Sequence, residues 1–598
     1  MGERVKTLIR FVSSLLNGAI IVGLVYPFYH DMLNPWSSKP AEKTRLPVAS
    51  GTATATDLAA HSKEFRKEIV EVADGLHVAV GYGLANVTIL EGLTSLIVFD
   101  TLESREAAAA LKEDIAKFST KPIRHVIYTH NHADHVMGAG ALVGDDLSQV
   151  TFYGHKDLAA NVARVVGPLR PILHLRSMRQ FGVYLPAADR PNAGIGPELK
   201  LDHRGLVDFV PPNVTFDKPK TELTIDGVRM TVLQAPGETD DTIEIYLPDQ
   251  DAVIAADNFY KSFPNLYAIR GTKYRDVSSW VKSIDEMRAL KAERLIPQHG
   301  RPVTGRDTVA SVLTDYRDAI QYVHDQTIRW MNKGLVPDEI VKRVALPPHL
   351  ANNPYLQPFY GRVDWSVREI FQGNLGWFSG DAADLFPPST ADIRSAFTAV
   401  EAGKTTLQAA EDALEENPAL SLWLARVIGP DNPEASKALR IKSLRKMAEK
   451  QPSAAGRNYL LTQAQEADGF VIPPSVTNAV PQRMLEATPI GNYMSAMPVA
   501  LKAEEVLDKD VIVAFRFTDV GENYVMHIRR GVAALSKVDS LDDVEAAATV
   551  SCASLLWKQI LARQTSAALS VVGGSLTIEG DKGLFQQFVG WFEGARKE

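Results

Sequence analysis

The pattern of apolar and polar positions changes style four times along this chain. Residues 11–29 form a run without a formal charge, preceded by Arg4, Lys6 and Arg10. A hydrocarbon core of about 30 Å takes roughly 20 helical residues, so the run is just long enough to span a bilayer. Ser13, Ser14, Asn17 and Pro27 interrupt it. It reads as an uncleaved membrane anchor, with a cleaved signal segment as the rival, since no clear A-x-A site follows the apolar run. The basic flank predicts a cytoplasmic N-terminus. The rest of the chain is then expected on the non-cytoplasmic side, membrane-anchored or secreted (periplasm, lumen or outside). Residues 34–65, rich in Pro, Ser, Thr and Ala, read as a linker.

From residue 66 short apolar runs alternate with turn residues. Strands are predicted at 76–80, 86–90, 95–99 and 124–128, with a helix over 104–118. Strands interleaved with helices up to about 306 predict an α/β sandwich domain over 66–306. Within it, 156–201 is an insertion rich in basic and apolar residues, read as a lid or wall. From 307 to 475 the spacing turns helical, with helices expected at 308–333, 393–416 and 435–450. The last section, 485–598, changes again. Strands at 511–517 and 523–528 flank a connection holding Asp519 and Gly521, and 575–581 leads into a helix from Lys582, a small α+β domain.

Composition narrows the classes. At 598 residues the chain holds three or four domains by size. An apolar fraction of 45% and a charged fraction of 23% describe a globular protein. A net charge of −8 offers no general attraction to nucleic acid. The single Cys552 excludes an intrachain disulfide.

The chemistry concentrates in Thr129-His130-Asn131-His132-Ala133-Asp134-His135, placed where the predicted strand ends. With 14 His in 598 residues, three in six positions around an Asp mark a metal site rather than a polar loop. His130 and His132 can converge on one ion while Asp134 and His135 face a second, and imidazole with carboxylate suits zinc.

This HxHxDH pattern resembles the metallo-β-lactamase superfamily, whose members add ligands after a Pro-Gly turn and at two later strand ends. The resemblance implies an αβ/βα sandwich and a dinuclear site of two divalent ions, Zn²⁺ by preference. It carries over to Glu238 after Pro236-Gly237, to Asp257 after the apolar 252–254, and to His299 after Leu295-Ile296. The implied division is His130, His132 and Glu238 on one ion, Asp134, His135 and His299 on the other, and Asp257 between them. Two such ions share a water and lower its pKa, so the reaction class is metal-assisted hydrolysis.

The segment from Asp257 to Asp276 further resembles the linear alkylsulfatases of that superfamily, with Asn265-Leu266 and Arg270-Gly271 at matching offsets. So do Tyr360-Gly361, Leu375-Gly376-Trp377-Phe378-Ser379-Gly380, and the run from Arg457 to Glu466. The resemblance implies that Asn265 and Arg270 hold a sulfate, with Tyr360 a further head-group contact. It also implies a helical dimerisation domain and a C-terminal sterol-carrier-protein-like domain with an apolar tunnel. The implied reaction cleaves an alkyl sulfate ester to alcohol and sulfate. Two departures stand out: Asp257 occupies a position where the best-known members have Glu, and Glu238 follows the glycine one residue early. Lys273 and Arg275 are expected as solvated surface charges. Phe259, Tyr260, Phe263, Tyr267, Trp377 and Phe378 are candidates for an alkyl groove, though each singly reads as core. The rival functions are hydrolysis of another ester, lactone or phosphoester, and a membrane-tethered lipid carrier with a structural metal.

Overall fold

The computed structural model describes residues 51–144, 146–166, 169–200, 208–470 and 482–593. The anchor reading for 11–29 and most of the linker lie outside the described residues. Among those described, no helix is long and apolar enough to cross a membrane. The end of the linker is ordered: Ala55–His61 is a helix opened by a Thr54 capping box, followed by a 3₁₀ turn over Ser62–Phe65.

The chain divides into two compact units, one comprising Pro47–His324 and Val344–Gly373, the other taking in Asp325–Arg343 and Asn374–Glu598. The first is built on two sheets. One carries β1 (Glu68–Ala73), β2 (Leu76–Val80), β3 (Val87–Glu91), β4 (Leu96–Phe99), β5 (Ile123–Ile127), β6 (Thr151–His155) and β7 (Val214–Phe216), side by side in that order. The other carries β8 (Lys220–Ile225), β9 (Val228–Gln234), β10 (Ile243–Leu247), β11 (Ala252–Ile254), β12 (Arg294–Ile296) and β13 (Val303–Thr304), again neighbours in sequence order.

Side-chain alternation sorts each strand between two cores. Ile97 and Phe99 of β4 point into the layer between the sheets, where they meet Val232, Ile245 and Ile254. Leu96 and Val98 point the other way, onto Ala107, Ala108, Leu111 and Ile115 of the helix Arg105–Ile115. That helix begins where Ser104 accepts from the Ala107 amide. β4 to β7 run parallel, as do β11 and β12, so β4, β5, β11 and β12 deliver their carboxyl ends to the loops carrying Asp100, His130, Asp257 and His299. In parallel sheets such ends are where ligands bind.

Residues 344–373 read as helical domain from sequence, yet they group with the sandwich unit. The reason is aromatic packing: Tyr355 lies 5.9 Å from Phe259, and Tyr360 lies 5.9 Å edge-on to Tyr260.

In the second unit, helices Thr390–Glu401, Thr406–Ala413, Pro418–Ile428, Pro433–Glu449 and Ala454–Ala467 pack around Leu420, Leu424, Leu422, Leu444 and Leu460. The single helix expected over 393–416 is two. Gly403 takes φ +97°, which ends the first, and Thr405 opens the second with a capping box. The C-terminal sheet orders β16 (Val532–Val538), β15 (Glu522–Arg529), β14 (Asp510–Phe517), β17 (Ala548–Cys552) and β18 (Leu576–Gly580). Its interior is filled by Phe515, Phe517, Trp557, Phe585, Phe588 and Trp591.

Candidate metal centre

Each sequence-predicted ligand lies in a loop at a strand end. His130 to His135 follow β5 and lead into a single helical turn, Ala133–Val136. Asp257 follows β11 and His299 follows β12. Two groups form in which the ligand atoms all lie within 4.8 Å of one another: Asp134, His135, Asp257 and His299, and His130, His132 and Asp257. Asp257 belongs to both. Its Oδ2 lies 3.5 Å from His130 Nε2, 3.3 Å from His135 Nε2 and 3.1 Å from His299 Nε2. Asp134 Oδ2 is 3.4 Å from His135 Nε2 and 3.5 Å from His299 Nε2.

The opposite ring nitrogens are held from behind, which fixes each tautomer. His299 Nδ1 donates to the Leu84 carbonyl at 2.9 Å, and His135 Nδ1 donates to Asp100 Oδ2 at 2.8 Å. Thr129 Oγ1 receives His130 Nδ1 at 3.1 Å and itself donates to Asp100 Oδ2 at 2.8 Å. Gln298 Nε2 also donates to that oxygen, at 2.6 Å. Asp100 is therefore the hub behind the cluster. Its residue sits at φ 64°, in the left-handed region, as does Ala256 at φ 50° beside Asp257. Such backbone persists where surrounding contacts over-determine it.

Burial and charge set the protonation of this cluster. Burial, aided by His135, pushes His130 down to about 4. Burial also lowers His132, with His130 and Arg270 adding to the effect. Burial opposes charge on His135 too, but Asp257, Asp134 and Asp100 outweigh it and raise that imidazole well above its ordinary value. The donor set suits a divalent cation. His135 Nε2, which faces Asp134 and Asp257, and Asp257 Oδ1 are both buried without a hydrogen-bond partner. Two ligand groups joined through Asp257 fit divalent metal binding.

Glu238 is placed differently from the other ligands. Its Oε1 lies 4.0 Å from His132 Nδ1 but 2.9 Å from Arg275 Nη1, and it joins neither close group. Burial raises its carboxyl to about 7 while Arg275 pulls the other way. The Pro236-Gly237 turn before it needs glycine, because a Cβ at 237 would come within 2.1 Å of Asn258 Oδ1. Asn258 in turn ties this turn to β10 by donating to the Ala235 carbonyl and Glu244 Oε1.

Arg275 overturns the surface-charge reading: its side chain is 2% exposed, paired with Glu238 and donating to the Asn265 carbonyl. A buried carboxylate beside it explains why the cation is inside. Lys273 does lie at the surface, facing Asp240 at 3.5 Å. Arg270 Nη2 sits 3.2 Å from His132 Nε2, which brings the guanidinium to the edge of the cluster. Asn265 is buried, its amide N–H donating to Tyr260 Oη at 2.7 Å and its side-chain Nδ2 unpartnered. Tyr360 Oη receives Gln180 Nε2 at 3.3 Å.

Asn265 and Tyr360 face a cleft of about 290 Å³, also lined by Phe181, Leu185, Ile269, Phe359 and Trp365. Most groove candidates lie elsewhere. Phe259, Tyr260 and Phe263 are core, Trp377 is 70% exposed, and Phe378 packs on Tyr459. Sequence reasoning also missed Asp100 and Gln180. Asp100 carries the same signal as Asp257, an acid ending a short apolar run; Gln180 carries none.

Known families and proteins match along the chain. Residues 80–299 match the Metallo-beta-lactamase superfamily, 336–469 alkyl sulfatase dimerisation, and 478–598 the alkyl sulfatase C-terminal domain. A "Linear primary-alkylsulfatase" from Pseudomonas sp. is 37% identical over 468 residues, covering 75% of this chain and 87% of that one. An "(R)-specific secondary-alkylsulfatase" from Pseudomonas sp. is 28% identical, covering 87% and 80%. Among solved structures, the "stereoselective inverting sec-alkylsulfatase Pisa1" from Pseudomonas sp. matches with a TM-score of 0.53 at 25% identity, covering 89% of this chain and 85% of that one. With a strand-end His and Asp cluster, three consecutive domain matches and a relative of this identity, the chain belongs to the alkylsulfatase family of the metallo-β-lactamase superfamily.

Proposed function

We propose that this protein hydrolyses alkyl sulfate esters to an alcohol and inorganic sulfate, using two divalent ions, Zn²⁺ by preference. The observation that carries this is the adjacency of Arg270 Nη2 to His132 at 3.2 Å, a cation at the rim of the metal cluster. Bound divalent ions supply Lewis acidity that brings a water's pKa toward neutrality and polarises the ester. His130, His132 and Asp257 would hold one ion, and Asp134, His135, His299 and the same Asp257 the other, with Glu238 completing the first once released from Arg275.

The chain's own residues do the rest. Arg270 offers paired N–H donors to sulfate oxygens, a charge-assisted fork that suits a tetrahedral anion. Asn265 Nδ2, buried and unpartnered, adds a neutral donor from the same segment. Tyr360 Oη, from a residue that lines the same cleft as Asn265, is a third polar contact. Arg275 holds the Asn265 carbonyl and so orients the clamp. The apolar wall of Phe181, Leu185, Ile269 and Phe359 takes the start of the alkyl chain and keeps water from the bond being cleaved.

The match to alkyl sulfatase dimerisation supports a homodimer through the helical region. For the C-terminal domain we carry forward the sterol-carrier-like reading as a proposal. The anchor at 11–29, contact with a membrane and a non-cytoplasmic location are proposals of the same kind.

The test is sulfate release from a medium-chain primary alkyl sulfate by the chain and by Arg270→Ala, with a carboxylate ester and a phosphoester of equal chain length alongside. Release from the sulfate alone, lost in the variant, supports the reading. Turnover of the carboxylate ester or phosphoester with equal efficiency, untouched in Arg270→Ala, would move the assignment to a different esterase of this fold.

A further inference from the structure

The insertion between β6 and β7 has a charge pattern that the hydrolytic site does not use. From Leu158 to Ala188 it carries Arg164, Arg170, Arg176 and Arg179 and not one Asp or Glu, in a chain of net charge −8. Its central element is the helix Arg170–Gln180. The inner side is tied to the clamp segment. Arg176 Nη2 donates to the Ile269 carbonyl at 2.5 Å, and Gln180 Oε1 accepts from the Arg270 backbone N–H at 2.9 Å. Gln180 Nε2 donates to Tyr360 Oη, and Leu173 rests against Gly271, where a Cβ would come within 3.3 Å of its Cδ2.

The outer side is apolar and open. Leu169, Ile172 and Leu175 are 45%, 50% and 45% exposed. Ile172 and Leu175, three apart, share one flank of the helix, with exposed Arg179 on that flank one turn further on and exposed Leu169 at the N-cap. In the turn that follows, Tyr184 and Leu185 are exposed as well. Arg179 and Leu185 also line the cleft that reaches Asn265 and Tyr360, so the open flank is continuous with the mouth of that cleft. Asp189 lines the cleft mouth too, but Arg179 and Arg190 beside it outnumber it, so large apolar side chains with a net positive margin match an interface that is hydrocarbon inside and anionic outside.

We propose that the helix Arg170–Gln180 and the turn to Leu185 form a docking surface for aggregated anionic amphiphile, the micelle or film of the alkyl sulfate itself, and pass single molecules into the cleft behind Leu185. This rests on the substrate class proposed above. In docking, Leu169, Ile172 and Leu175 enter the hydrocarbon while the arginines meet the sulfate layer. Gln180 and Arg176 keep the helix registered on the clamp as it does so.

The test separates docking from turnover by using an amphiphile without an ester. Phosphatidylcholine vesicles doped with dodecanesulfonate are mixed with the full chain and with Ile172→Ser/Leu175→Ser, and bound protein is measured by co-flotation. The parent is expected to bind doped vesicles at least tenfold more tightly than the variant. On undoped vesicles, where only the shared N-terminal segment contributes, the two are expected to bind alike. Sulfate release from hexyl sulfate held below its aggregation concentration is expected to be the same for both. Equal binding of parent and variant to doped vesicles would overturn the proposal. So would a change in the variant's oligomeric state without amphiphile, which would assign the flank to a second copy of the chain. Tight, doping-dependent binding by the parent with no sulfate release from any substrate would keep the docking surface and remove the sulfatase reading, so the two fail separately.

Discussion

The strand-end layer of the sandwich and the C-terminal sheet bury their side chains for opposite reasons. In the first, His135 Nε2, Glu238 Oε2, Asp257 Oδ1, Asn265 Nδ2 and Arg275 Nη2 are buried without a hydrogen-bond partner. Each such group costs about 1–3 kcal/mol, so five gathered in one layer are a local expense that folding alone does not reward. In the C-terminal sheet the interior is a stack of aromatics. Phe515 lies 5.1 Å from Trp557, and Phe588 lies 5.1 Å from Phe592. There, among the described residues of that sheet domain, the unpartnered buried polar atoms are Ser551 Oγ and Trp557 Nε1. One region holds polarity in place for a ligand; the other is filled by stacked aromatics.

Substitutions that tell these regions apart span a wide range of effect. Asp257→Ala removes the oxygen shared by both ligand groups, and activity is expected to fall below detection with loss of bound metal by elemental analysis. Arg270→Ala keeps the metal site and is expected to lower kcat/KM on alkyl sulfates by roughly 10²–10³-fold, as for removal of a preorganised donor to developing charge. Phe588→Ala leaves metal content unchanged but is expected to destabilise the C-terminal domain by about 3–5 kcal/mol, read by denaturant melts. Asp100→Asn withdraws the carboxylate behind His135 and is expected to weaken metal affinity by about 10–100-fold.

The smallest effect is one of pH. Burial raises the Glu244 carboxyl well above its ordinary 4.5, with Asn258 opposing. The folded chain then keeps a proton that the unfolded chain releases above 4.5. Glu244 therefore contributes stability that is complete below that pH and is lost as pH rises through the raised folded value. Glu244→Gln is expected to flatten the decline of Tm on the alkaline side. A Tm that falls equally in both proteins would count against a neutral Glu244.

Much of this was legible because the chemistry sits where hydrophobic pattern ends. Three short apolar runs, ending near Tyr128, Ile254 and Ile296, located six of the seven expected ligands next to a strand terminus. The strands of both terminal regions were readable from alternation and turn residues for the same reason. What escaped is long-range. Arg275 reads as a surface charge because nothing within its own segment shows that Glu238, 37 positions earlier in the chain, faces it inside. Gln180 has no local pattern, yet it bridges Arg270 and Tyr360. Phe259, Tyr260 and Phe263, which each singly read as core despite neighbouring Asp257, are buried, the first two against Tyr316 and Tyr355. The break at Gly403 was visible only as one glycine in an alanine-rich run, until its φ of +97° showed the chain turning there.

The central claim is that the polar layer at the strand ends holds a pair of divalent ions that the hydrolysis requires. The direct measurement is a metal titration of chelator-treated protein, with bound ion and sulfate release from a medium-chain alkyl sulfate followed together. The expected result is no release from the stripped chain and recovery that completes at two ions per chain. Full release from the stripped chain, or recovery complete at one ion with no further binding, would contradict the account.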